Sequence, residues 1–191
     1  YSYIAYRATP LLILVIFFLA LKTHSNILKN VRMSFLIFSA VAVFTVLPLG
    51  IYFWNHPADF LGRTAGISIF SSEQPFRDFG FNIIKTLGMF NVAGDFNWRH
   101  NFAGRPELFW PVGLLFLYGF YLSVKKIKFE KFSAIPEITI LSWFFIVMLP
   151  VVVSNEGLPH ALRSILMIPP VFILSAVGGM KIYEMLKTKL I

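Results

Sequence analysis

The sequence predicts an all-α protein, a polytopic transmembrane helix bundle with about five spans and an interfacial helix in one long extracytoplasmic loop. Three observations predict it. Long apolar runs occupy roughly 8–21, 33–54, 108–124, 138–153 and 164–180. The 191 residues are 57% hydrophobic with a mean hydropathy of +0.72, more apolar surface than a water-soluble domain of this size buries. The basic residues also gather in the short connectors. Segments 22–32, 125–137 and 181–191 hold Lys22, Lys29, Arg32, Lys125, Lys126, Lys128, Lys131, Lys181, Lys187 and Lys189, ten basic residues against Glu130, Glu137 and Glu184. Segments 1–7, 55–107 and 154–163 hold seven basic and six acidic residues. By the positive-inside rule the first set is cytoplasmic and the second faces out.

In hydrocarbon the backbone must satisfy its own hydrogen bonds, so the apolar runs are expected as helices. They lack the alternation of barrel strands. Orientation accounts for the net charge of +8. No basic face with motif support is present, which argues against nucleic acid as a partner. The absence of cysteine excludes disulfides, thiolate chemistry and Cys-ligated metals.

Taken in order, YSYIAYR (1–7) places tyrosines and Arg7 at a headgroup boundary, where Arg7 either faces a phosphate or snorkels. The first run, 8–21, is short for a span, and a basic loop at 22–32 follows it. The second span, 33–54, contains Pro48 and ends on the aromatic belt Tyr52, Phe53 and Trp54. Residues 55–106 form the long connector. Within it, 75–90 sets Phe76, Phe79, Ile83, Leu87 and Phe90 near helical spacing, with Arg77, Asp78 and Lys85 off that stripe. This predicts an amphipathic helix, with Pro75 in its first turn, lying on the membrane surface or packed on the bundle. The third span returns at 108–124 and the fourth leaves at 138–153, ending near Pro150. A compact outer turn, SNEGLPHALR (154–163), leads to the fifth, where Pro169–Pro170 is expected to interrupt regular helix. The whole chain reads as a single transmembrane domain over 1–191.

The outer side collects the reactive groups: Arg7, the 95–105 cluster and the 156–163 turn. Arg7, Arg99, Arg105 and Arg163 supply charge-assisted contacts suited to phosphate. His100 and His160 can donate to a phosphate or move a proton. Asp95 and Glu156 suit sugar hydroxyls, a cation or an arginine partner, and Trp98 suits a sugar face or the interface. His100 and His160 lack metal-ligand spacing, so no metal ligand is assigned. Gly94, Gly104 and Gly157 read as turn glycines, and Ser154 and Ser164 form no recognisable nucleophilic triad. Pro159 is expected to start the next helix, with His160 and Arg163 on one face and free N–H groups toward an anion. The competing reading is a capped loop in which Glu156 pairs with Arg163.

NEGLPHALRSILMIPPVFILSAVGG (155–179) resembles the late outer loop and following helix of polytopic C-type glycosyltransferases, in particular the bacterial and archaeal dolichyl-phosphate-mannose protein mannosyltransferase-like (family 39-like) group. GDFNWRHNFAGRPELFWPVGLLFLYGF (94–120) resembles a segment recurring there, and YSYIAYRATP (1–10) resembles the end of an earlier loop entering its helix. The resemblance implies an integral enzyme, expected in a prokaryotic cytoplasmic membrane with its active face outside. It would move a sugar from a polyprenyl-phosphate donor to a protein, lipid or cell-envelope glycan acceptor, usually with inversion. Arg7, His160 and Arg163, then Arg99, His100 and Arg105, would bind the donor phosphate. Asp95, Trp98 and Glu156 would bind sugar or acceptor. In that family the catalytic acidic residues lie in the first outer loop. The chain opens on Tyr1 and is expected to be the carboxyl-terminal part of a longer protein, so the catalytic residue is unassigned. Some relatives depend on a divalent metal, which would bind through that preceding region; no other cofactor is implied. The donor residues are expected to converge on one outer cavity, with a lipid-facing groove for the isoprenoid. A ligase or polymerase using a lipid-linked donor shares this geometry. The other class, a non-enzymatic transporter, flippase or structural membrane subunit, calls for a polar route across the bilayer, and few ionisable groups fall inside the spans.

Overall fold

The computed structural model describes residues 8–23, 27–66, 68–130, 133–154 and 157–190; Arg7 and Glu156 lie outside the described residues. The protein is all-helical. Its helices are α1 (Thr9–Thr23), α2 (Ile27–Asn55), α3 (Pro57–Gly66), α4 (Pro75–Gly88), α5 (Trp110–Phe129), α6 (Ile135–Val152) and α7 (Ile168–Leu190). There is no strand among the described residues, only an isolated antiparallel bridge between Ser68 and Ser154. Among the described residues, three helical stretches are long and apolar enough to cross a membrane: Arg32–Asn55, Ile135–Val152 and Ile165–Lys189. The apolar part of α1, Thr9–Leu21, is shorter.

Each apolar run becomes a helix, but prolines set several starts. Pro75, Pro111 and Pro136 sit in the first turns of α4, α5 and α6, where a missing N–H costs no intrahelical bond. The same rule corrects the reading of the fifth run. Pro169 and Pro170 do not interrupt a helix; they are the second and third residues of α7. Residues 165–167 ahead of them form a 3-10 turn. Pro159 likewise starts no helix. It follows a cis peptide bond, and residues 161–164 form a turn closed by Ser164 N–H donating to His160 O and Ala161 O.

The core lies between α4, α5, α6 and α7. Phe144 is fully buried, with ring centroids of Phe90, Phe116, Phe120 and Phe145 5.3–6.1 Å away. Met167, Val171 and Leu174 of the last segment fill the same core. The backbones of α5 and α7 touch: a Cβ on Gly119 would stand 1.8 Å from Leu174 O, and one on Gly178 would stand 2.2 Å from Leu115 O. Only glycine allows that approach, the small-residue logic of helix pairing in membranes. At the far ends of these helices Lys126 Nζ bridges to Glu137 Oε1 at 2.8 Å, joining α5 to α6 across the 130–134 connector. No residue of the stretch Arg32–Asn55 of α2 is buried.

In the long connector, α4 packs on α6 through part of the predicted stripe. Phe79 and Ile83 reach the core, together with buried Asn82 and Thr86. Phe76 is 92% exposed and Leu87 is exposed as well, so the stripe is divided between the core and the outer surface. The reason is polar. Asn82 Nδ2 donates to Val152 O at 2.9 Å and Ser154 O at 3.0 Å, carbonyls at the end of α6 that no further turn of helix satisfies. Ile69 N–H donates to Val153 O from the other side. The connector is thereby fastened to the α6–α7 end of the bundle, where the next loops also meet.

Candidate functional site

Residues 89–108 form a loop tied at its base. Glu107 N–H donates to Met89 O and Leu108 N–H to Phe90 O; higher up, Gly94 N–H donates to Arg105 O and Gly104 N–H to Asp95 O. Gly104 takes a positive φ of 78°. Gly94 is required by closeness rather than by turn geometry, because a Cβ there would lie 2.3 Å from Arg105 O. Asn101 Nδ2 spans the loop, donating to Arg105 O at 2.6 Å and Asp95 O at 3.3 Å.

Asp95 sits at the centre, 4% exposed. Its Oδ1 accepts Asn97 N–H at 2.8 Å, an Asx turn. Its Oδ2 accepts Ala161 N–H at 3.0 Å and lies 3.0 Å from His100 Nδ1. Burial alone would push this carboxyl up; the bonds from Asn97, His100 and Ala161 outweigh it and hold the pKa below its ordinary value. His160 Nδ1 stands 3.9 Å from the same Oδ2. The two imidazoles stack, centroids 5.1 Å apart and planes 26° off parallel. Asp95 therefore pins the 89–108 loop to the turn before α7.

A cavity of about 540 Å³ opens beside this junction, lined by Asp95, Phe96, His100, Pro159, His160 and Arg163 among others. Arg163 Nη1 donates to Ser154 Oγ, which fixes the guanidinium at the wall. The cavity thus combines a buried carboxylate, two imidazoles and a guanidinium. Such a set can bind an anion, move a proton or hold a cation.

Four of the residues singled out in the sequence come together here: Asp95, His100, His160 and Arg163. Arg99, Arg105 and Trp98 do not line the cavity. Arg99 and Trp98 are exposed, with the guanidinium 5.9 Å from the indole, and Arg105 lies 4.6 Å over Phe102. Full convergence of the 99–105 cluster is therefore not found; of that cluster only His100 lines the cavity. Glu107 was not foreseen. Its Oε1 accepts Asp95 N–H at 3.0 Å, and burial raises its pKa, opposed by that bond and reinforced by the charge of Asp95. Nothing local in the sequence marks Glu107, because its partner is twelve residues away.

No protein-family model, curated protein or solved structure matches this chain.

Proposed function

We propose that this chain forms part of a membrane glycosyltransferase that takes a sugar from a polyprenyl-phosphate donor on the extracytoplasmic face. The acceptor is a protein, lipid or cell-envelope glycan. In this reading α1, α2, α5, α6 and α7 all span, and the exposed apolar side of α4 lies at the interface. One observation carries the proposal: His100, His160 and Arg163, from two separate loops, share a cavity of about 540 Å³ at one end of an apolar helix bundle. That is the equipment for a phosphate attached to a lipid chain, with the headgroup at the loops and the isoprenoid along the helices. Asp95 orients His100 through Nδ1, which leaves Nε2 as the nitrogen for a leaving phosphate oxygen. Arg163 supplies the charge that a departing polyprenyl phosphate needs.

Sugar transfer by the full-length protein that contains this chain, reconstituted in proteoliposomes with a panel of polyprenyl-phosphate sugars and a cell-envelope extract, tests this. Arg163→Ala and His160→Ala are each expected to lower transfer by about 100-fold or more, the scale of removing one preorganised donor. Thermal unfolding is compared in parallel to exclude simple misfolding. Transfer untouched by both changes refutes the site, and no transfer across the panel refutes the activity in favour of transport or assembly.

A further inference from the structure

Asp95, His100 and His160 each offer one ligand atom, and these atoms all lie within 4.8 Å of one another. Two of the separations are 3.0 Å and 3.9 Å, measured to the single oxygen Asp95 Oδ2. An ion held at about 2.0–2.2 Å by each donor keeps neighbouring donors roughly 3–4 Å apart. Those two separations fit donors around one ion, and the two imidazole donors lie within 4.8 Å of each other. An Asp–His hydrogen bond explains the position of His100. His160 Nδ1 stands 3.9 Å from that same oxygen, so two imidazoles flank one carboxylate oxygen. One divalent ion shared by two neutral imidazoles and a carboxylate suits all three side chains.

We propose that Asp95, His100 and His160 form a mononuclear site for a divalent transition ion of the zinc class. Two imidazoles and one carboxylate are a borderline-soft donor set that favours such ions over magnesium or calcium. The surroundings are those of a prepared centre. The carboxylate is fixed by the N–H groups of Asn97 and Ala161, outer partners of the kind that orient metal ligands. His100 and Asp95 ride on a loop closed at Gly94–Arg105 and Asp95–Gly104. Three protein donors leave coordination positions on the cavity side, where Arg163 stands. An anionic oxygen, such as a phosphate oxygen, fits there beside the guanidinium. This last step rests on the glycosyltransferase reading, whereas binding of the ion does not.

The test uses the full chain in detergent, stripped with a chelator and titrated with Co²⁺ and Zn²⁺ in the absence of any sugar donor. One ion per chain, visible d–d bands on Co²⁺ binding and a raised unfolding temperature are expected. Asp95→Asn, His100→Gln and His160→Gln are each expected to weaken binding by more than the roughly 10–100-fold typical of losing only an outer partner. Because Asp95 also pins the loop, Zn K-edge absorption on the unaltered chain provides a reading independent of any variant. It should show two imidazoles and a carboxylate oxygen around the ion. The proposal is overturned if the folded, stripped chain takes up neither ion, if binding survives in all three variants, or if the bound zinc has no imidazole neighbours. Since no donor is present, such a failure removes the metal and leaves the transferase reading to its own assay.

Discussion

Replacing Gly119 by alanine isolates what the close approach of α5 and α7 contributes. The added Cβ would lie 1.8 Å from Leu174 O, 2.8 Å from Leu174 C and 2.9 Å from Gly178 N, while ordinary contact begins at 3.4 Å. Restoring that contact to the oxygen requires the helices to part by about 1.6 Å, the difference between 3.4 and 1.8 Å. The obstructing atoms are backbone, so no rotamer change relieves them. Leu174, Val171 and Met167 are all essentially fully buried on the moving segment, and shifting them opens gaps around Phe144. Overpacking of this kind costs about 1–3 kcal/mol, and the rigidity of the opposing atoms puts Gly119→Ala at the upper end. The matched control is Gly80→Ala in α4, where a Cβ meets nothing within 4 Å. It gains only helix propensity, about 1 kcal/mol in favour of alanine. Reversible unfolding in mixed micelles, followed by circular dichroism, compares the two. Gly119→Ala should unfold at lower denaturant than the parent and Gly80→Ala at equal or higher denaturant. If Gly119→Ala proves as stable as Gly80→Ala, the backbone contact does not exist as described and the reasoning fails.

Two further substitutions probe how the loops are fastened. Asn82→Ala strands the carbonyls of Val152 and Ser154, and about 1–3 kcal/mol of stability should be lost in the same unfolding assay; a change within about 0.5 kcal/mol would deny Asn82 this role. Gly94→Ala drives a Cβ against Arg105 O, Asn101 Nδ2 and Glu107 Oε1 at 2.3–2.8 Å. It should open the 94–105 loop, read as new proteolytic cleavage there with the helical signal unchanged, and an intact loop would contradict the close approach.

What could be read from the sequence, and what could not, divides along contact distance. The apolar runs were legible as helices because composition and length act locally, and Pro75 marked its helix start correctly for the same reason. Pro169–Pro170 was misread because its effect depends on whether the helix has already begun, which the 3-10 turn at 165–167 decides. How the α4 stripe divides between core and surface was hidden because Asn82 answers carbonyls 70 and 72 residues away, which no hydrophobic period encodes. In the site, residue types pointed to Asp95, His100, His160 and Arg163, since acids, imidazoles and guanidinium are rare in so apolar a chain. Their grouping was not legible. His100 and His160 show no ligand spacing because sixty residues and two helices separate them, and only the packing of α5, α6 and α7 brings the rings together. Nor did the sequence distinguish inward His100 from outward Arg99, a matter of which side of a turn each residue occupies.

The bond from Ala161 N–H to Asp95 has a consequence for the order of assembly. It closes a chain segment of 66 residues that contains all of α5 and α6. The entropy of such a closure is offset only once the helices inside it have packed, so this contact belongs among the last to form. The cavity is therefore a late product of folding, completed when the turn before α7 reaches the loop made earlier. Chemistry at Asp95 therefore reports that the bundle beneath it is packed.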